Sequence, residues 1–298
     1  MSTGSTVVQP REAGPRRVTE IARRRYSCRT YLPDPLSPAE RGALDELLAA
    51  ARTGPFGTPL RFRLLAARAN DAKALRGLGT YGFVSGATAF VVGAVLNQDQ
   101  SLEDYGHALE RVVLGATEMG LGTCWLGGTF NKSRFAEAIE VLPAESVPAV
   151  VALGHPVIGA ERGLFRRVVG AFERLPWSEL FFDGSFSTPL TRERAGPWAA
   201  PLETVRIAPS ASNRQPWRIV RLGDAWHLFL RRTPGYQKGT TLFRMFQMAD
   251  LQRVDMGIAM CHFELEAREH GLGGRWVHEP PRLTLPGNTE YSATWRST

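Results

Sequence analysis

The chain has 298 residues, a formal net charge of +7, 43% hydrophobic residues and 22% charged residues. That length covers one large domain or two average ones, with apolar residues enough for a full core. No apolar run approaches the roughly 20 residues of a membrane helix, and the basic residues are scattered without a nucleic-acid motif, so membrane and nucleic acid are set aside as partners.

Residues 1–16 are polar and lack the apolar centre of a signal peptide, so a disordered tail is expected. Cys28, Cys124 and Cys261 lie far apart with no metal or redox spacing, which fits a reducing, cytoplasmic compartment and no metal site. Val18 to Arg25 reads as a short helix, followed by an extended, alternating segment from Arg25 to Tyr31. Ser37-Pro38-Ala39-Glu40 starts a helix, with a capping serine, proline at the first position and glutamate three residues after the cap. Its apolar residues run at helical spacing to Ala51, and Thr53 to Pro59 breaks it. Leu60 to Ala67 reads as a strand, Asn70 to Leu78 as a short helix and Ala89 to Leu96 as a buried central strand. The longest helix, Ser101 to Met119, stops at Gly120-Leu121-Gly122, and a strand from Thr123 leads to Leu126-Gly127-Gly128. A helix over Lys132 to Ile139 and a strand over Val147 to Gly154 complete half 1, residues 17–156. Residues 157–201 read as a crossover. Half 2, residues 202–298, holds a helix, the polar loop Ala208 to Trp217, strands Arg218 to Leu222 and Trp226 to Arg231, a long helix from Gln252 to His270, and a last strand led by Trp276.

The chain repeats itself. A shift of 151 residues places Asp104, Gly106, Ala108, Ala116, Glu118, Gly120, Leu121, Gly122 and Trp125 on Asp255, Gly257, Ala259, Ala267, Glu269, Gly271, Leu272, Gly273 and Trp276. A shift of 157 places Ala51, Pro59 and Arg61 on Ala208, Pro216 and Arg218. Two copies of one unit, joined at their long helices as an internal dimer, are expected.

The copies differ where chemistry is to be expected. Half 2 carries Pro209-Ser210-Ala211-Ser212-Asn213-Arg214-Gln215-Pro216-Trp217, whereas the matching loop of half 1 has no amide side chains. Only half 1 carries Arg25-x-Ser27-x-Arg29. Alternate residues of an extended segment share a side, so two guanidinium groups and a hydroxyl match a phosphate and an electron-rich carbonyl edge. Taken alone the strip reads as a solvated basic strand, and the loop as an ordinary connection. The complementary loss favours one complete site per chain.

The strip, the loop, and Gly120 to Gly127 with Ala152-Leu153-Gly154-His155-Pro156 together resemble the FMN-dependent nitroreductase superfamily in its fused, single-chain branch. The resemblance implies an α+β fold of two repeated halves forming an internal pseudo-dimer, each a mostly antiparallel sheet flanked by helices. It implies FMN between the halves, with Arg25, Ser27 and Arg174 on the ribityl phosphate and Arg29 near N1 and the C2 carbonyl. Pro209, Ser210 and Asn213 would reach the flavin from the other half, and Leu126, Gly127 and Gly128 would lie along the ring near N5. NAD(P)H would give hydride to the flavin, which passes it to a small aromatic or quinone-like acceptor with no catalytic side chain. A monomer, complete as its own pseudo-dimer, follows. Two departures stand out: Phe172 replaces a basic residue often found before the Arg174 equivalent, and no polar residue for the pyrimidine edge is identifiable, so the Tyr81-Gly82 backbone is expected to replace it. Substrate choice falls to the loop from Thr233 to Phe246, where Tyr236 and Phe243 cover the ring or simply pack. The alternatives are a flavin-dependent dehydrogenase of a biosynthetic intermediate and a non-catalytic flavin-binding protein.

Overall fold

The computed structural model describes residues 17–67, 75, 78, 82–128, 130–157, 159, 173–234 and 249–298. The expected tail, most of the helix at 70–78, Tyr81, Phe172, Tyr236 and Phe243 lie outside the described residues. The helices are α1 (Val18–Arg24), α2 (Pro38–Ala50), α3 (Ser101–Glu118), α4 (Lys132–Ala138), α5 (Trp177–Leu180), α6 (Arg192–Ala195), α7 (Ala199–Ile207) and α8 (Leu251–Glu269). The strands are β1 (Leu60–Ala66), β2 (Ala89–Leu96), β3 (Gly122–Leu126), β4 (Glu145–Ser146), β5 (Val150–Gly154), β6 (Phe181–Asp183), β7 (Trp217–Leu222), β8 (Ala225–Arg231), β9 (Gly274–Val277) and β10 (Thr289–Ser297).

Local chemistry fixes the ends of these elements. At α2 the Ser37 hydroxyl accepts from Glu40 N (3.2 Å), and the Glu40 carboxylate returns a bond to Ser37 N (2.7 Å), closing a capping box. The two long helices end alike. Gly120 and Gly271 take φ of 86° and 69°, and Leu121 N and Leu272 N reach back to Ala116 O and Ala267 O, the left-handed stop that glycine permits.

The sheets carry the repeat at the level of topology. One runs β1-β2-β5-β3, with β4 beside β2, and the other runs β6-β7-β8-β10-β9. Matching β1, β2, β3 and β5 with β7, β8, β9 and β10 gives the same order, antiparallel throughout. Strand β6 is extra: it lies parallel to β7. It falls inside the stretch expected as a crossover, and α7 begins at Ala199 rather than 202. Three residues carry no period for a sequence pattern to reveal. Strand β10 was also outside the expected elements. It lies beyond the proline-rich 280–286 stretch, and its alternation is broken by an irregular register between Tyr291 and Ala293.

The halves meet where α3 crosses α8. Gly106 and Gly257, superposed by the 151-residue shift, face each other: a Cβ on Gly106 would overlap Val254 O, and one on Gly257 would overlap Glu103 O. Beside this contact the buried pairs His107 Nε2–Glu264 Oε2 and His262 Nε2–Glu110 Oε1, both 2.9 Å, join the two helices. Trp125 Nε1 donates to Glu110 (2.7 Å) and Trp276 Nε1 to Glu264 (2.9 Å), so each carboxylate ties a strand of its own half to a histidine of the other.

Two outcomes follow at this seam. Glu110→Ala removes the partner of buried His262 and of the half-buried Trp125 indole and should lower stability by about 3–5 kcal/mol in denaturant titration. Burial opposes ionisation of Glu264, but the hydrogen bond and charge of His107, with those of Arg268, outweigh it and hold the carboxyl at about 2. A depressed acid stabilises above its unfolded value and loses that contribution as pH falls through the folded one. Melting temperature should therefore drop as pH falls from about 4.3 toward 2, and a Glu264→Gln chain should lose this part of the drop.

Candidate functional site

The strip follows α1. Arg25 N caps that helix on Ile21 O (2.9 Å), Ser27 bridges Thr123 in the parallel sense, and Cys28 N donates to Thr123 O (2.8 Å). Thr30 and Tyr31 bridge Ser85 and Pro156, so the segment is held at its edges without being a full strand. Cys28 is buried in the core, while Arg25, Ser27 and Arg29 are half-buried. Arg25 Nε is buried and has no acceptor among the described residues. Burial pushes this guanidinium below its ordinary value, with the charges of Glu110 and Cys124 acting against the shift. A cavity of about 190 Å³ opens beside it, lined in part by Arg24, Arg25, Tyr26 and Thr123. Arg29 Nη1 reaches Ser27 O at 3.5 Å.

The loop follows α7, which packs on α1. Thr19 Oγ1 and Thr204 Oγ1 lie 3.1 Å apart, and Ile207 packs into the cluster that holds Ile21 and Ala22. These contacts hold the helix before the strip against the helix before the loop. Arg174 ties the end of α7 to the loop: its Nη2 donates to Ile207 O (3.2 Å) and its Nη1 to Asn213 Oδ1 (2.9 Å) and Glu173 O (3.0 Å). Asn213 Nδ2 donates to Glu173 O (2.9 Å), and the Ser210 hydroxyl accepts from Gln215 N (2.8 Å). Pro209 is half-buried. Ser212, Asn213 and Gln215 take φ of 48°, 54° and 48°, a concentration of left-handed non-glycine residues that stores strain.

At the end of β3, Leu126 is buried, Gly127 half-buried and Gly128 exposed. A Cβ on Gly127 would overlap Leu251 Cδ1, so the first residue of α8 rests on the bare α-carbon. Arg25, Ser27, Arg29 and Leu126 to Gly128 thus belong to one frame, and Arg174, Pro209, Ser210 and Asn213 to another that abuts it.

Sequence reasoning overlooked three supporting residues. Asp104 Oδ1 and Oδ2 accept from Phe56 N and Thr58 N, both 2.9 Å, in half 1. Among the described residues its counterpart Asp255 accepts only from Ala211 N (2.9 Å), and its Oδ2 has no partner. Burial pushes the Asp255 carboxyl well above its usual range, against the pull of the Ala211 bond. The position of Asp255 in the repeat was a usable signal. Gln215 and Arg218 carry the other roles; the repeat pairs Arg218 with Arg61, and Gln215 is one of the amides that half 1 lacks, but neither signal gives the role. Among the described residues no His, Cys, Asp or Glu cluster could hold a metal ion, and no helix is long and apolar enough to cross a membrane.

A family model described as "Putative TM nitroreductase" matches residues 17–267. The chain belongs to this nitroreductase family. A structure described as a "putative nitroreductase" of Thermotoga maritima superposes over 98% of this chain and 98% of its own, with a TM-score of 0.60 at 20% identity. The family fold therefore spans both halves. A nitroreductase family protein of Clostridium difficile covers 54% of this chain and 94% of its own, with a TM-score of 0.42 at 21% identity. A protein of Desulfovibrio desulfuricans, solved in complex with FMN, covers 56% and 95%, with a TM-score of 0.42 at 23% identity. No curated protein matches the sequence.

The nitroreductase frame predicts a test at Asp255. Asp255→Ala leaves Ala211 N without its acceptor, at a cost of about 1–3 kcal/mol. Amide exchange in residues 208–217 should speed up while exchange in 52–60 stays unchanged.

Proposed function

We propose that this nitroreductase binds FMN between its halves and passes hydride from NAD(P)H to a small aromatic or quinone-like acceptor. The observation that supports this most is Arg25, whose buried Nε has no acceptor among the described residues. Among the described residues no group bonds the Ser27 hydroxyl either, two positions along the same side of the strip. A buried guanidinium nitrogen without an acceptor, near such a hydroxyl, fits a phosphate monoester. Three left-handed residues in the loop after α7 fit a backbone shaped around a ligand.

On this reading Arg25 and Ser27 hold the phosphate, and Arg174 meets it from the second half. Arg29 stands at N1 and the C2 carbonyl, and Leu126, Gly127 and Gly128 offer flat backbone along the ring near N5. Pro209, Ser210 and Asn213 close from the other side. FMN, when bound, supplies the redox chemistry. The protein orients the ring, and the fixed Arg29 cation stabilises negative charge on the pyrimidine edge. No side chain is assigned a covalent or acid role. The chain acts as a monomer with one site, since the strip exists only in half 1 and the amide-bearing loop only in half 2. A reducing, cytoplasmic setting is in keeping with three cysteines outside disulfides.

The purified chain should be yellow or become so with added FMN. Anaerobic NADH or NADPH should bleach the band, and a quinone should restore it. A chain that refuses added FMN overturns the reading. Arg29→Ala should lower the flavin potential by about 30 mV, the equivalent of about 1.4 kcal/mol for a two-electron couple, while FMN still binds. An unchanged potential removes Arg29 from this role.

A further inference from the structure

Gln215 is the residue on which the second-half frame converges. The residue is 4% exposed. Its Oε1 accepts from Leu175 N (2.9 Å), and its Nε2 donates to Glu173 O (3.4 Å) and to Asn213 O (3.2 Å). One amide thus holds the peptide groups on both sides of Arg174. Its own backbone is held in turn, with Gln215 N on the Ser210 hydroxyl (2.8 Å) and Gln215 O on Arg218 Nη1 (3.0 Å). Arg218 is 7% exposed, and its Nη1 also donates to Trp217 O (2.7 Å). A buried arginine therefore pins the carbonyl of a residue whose φ is 48°.

The first half shows the same scaffold without this task. The 157-residue shift places Thr58 on Gln215. Thr58 N goes to Asp104, and Thr58 Oγ1 takes the Gln98 amide at 3.4 Å. In half 2 the corresponding amide N–H goes to Ser210 instead of the aspartate, and among the described residues Asp255 Oδ2 has no partner. The N–H keeps a bond, and the cost is the unsatisfied buried carboxylate oxygen. What the exchange gains is a left-handed Gln215 whose side chain lies against residues 173–175.

We propose that Gln215 is the positioning residue for Arg174: its buried amide grips the chain on either side of that arginine and fixes where the guanidinium meets a phosphate. This rests on the flavin reading and assigns a role to a residue outside the expected contact set. Glutamine suits the task because a single planar group offers both an acceptor and two donors. Asn213, which touches both Arg174 Nη1 and Glu173 O, completes the grip from the tip of the loop.

The test compares FMN with riboflavin, which lacks the phosphate, by flavin fluorescence quenching in the full chain. In Gln215→Met the FMN affinity should fall about tenfold, the scale of one charge-assisted contact, while riboflavin affinity holds. Arg174→Ala should show the same phosphate-specific loss, and the double variant should be no worse than Arg174→Ala alone. Gln215→Asn, which keeps the amide but not its reach, serves the same comparison if the Met chain does not fold. A merely structural Gln215 would weaken both ligands equally, and that result overturns the proposal. So does an unchanged FMN-to-riboflavin ratio in either Gln215 or Arg174 variants. A wild-type chain that binds neither ligand instead overturns the flavin reading itself.

Discussion

The close approach of α3 and α8 governs the rest of the molecule. Two glycines let the helices touch backbone to backbone, nearer than side chains would allow. At that distance each histidine reaches a carboxylate on the opposite helix, and each carboxylate reaches a tryptophan on a strand of its own sheet. The sheets are therefore registered to one another through the seam. Site residues inherit that registration: Leu251 at the head of α8 sits on Gly127 at the end of β3, and Asp255 one turn later holds the loop at Ala211. Glu110, buried in the same seam, acts on Arg25 through its charge.

The two copies keep the frame and change the fittings. Sheet order, helix stops, facing glycines and the aspartate under the helix-to-strand loop are all paired. The loop above that aspartate is not. In half 1 the carboxylate takes two amides, a saturated arrangement suited to stability. In half 2 it takes one, and a serine, a buried glutamine and an arginine redistribute the remaining bonds toward the 173–175 segment. A less well-satisfied and more strained half is what a ligand-shaping surface produces, because local rules are relaxed where binding sets the geometry.

Much of this was readable in the sequence, for identifiable reasons. Helix α2 announces itself through a capping box, β2 through an unbroken apolar run, and α3 and α8 through their shared glycine stops. The repeat could be read because Asp104, Gly106 and Trp125 each do a physical job that the second copy also needs. The nitroreductase family could be read from the strip and the loop together. Less could be read where long-range pairing decides. Strand β6 is three residues on a parallel edge, and the strip is held by isolated bridges whose partners at Ser85, Thr123 and Pro156 come from three distant segments. Gln215 looks like any polar loop residue until residues 173–175 are laid against it. The seam histidines, His107 and His262, are not matched by the 151-residue shift, so the repeat gave no hint that they serve equivalent ends.

Strand β6 has one more consequence. By chain order it belongs to the connection between the halves, but by hydrogen bonding it belongs to the second sheet, beside β7. A protease cutting the exposed turn just after it, near Ser187, would leave the amino-terminal fragment with its last strand threaded into the other fragment's sheet and its long helix locked at the seam. Scission there would produce two peptides but one particle.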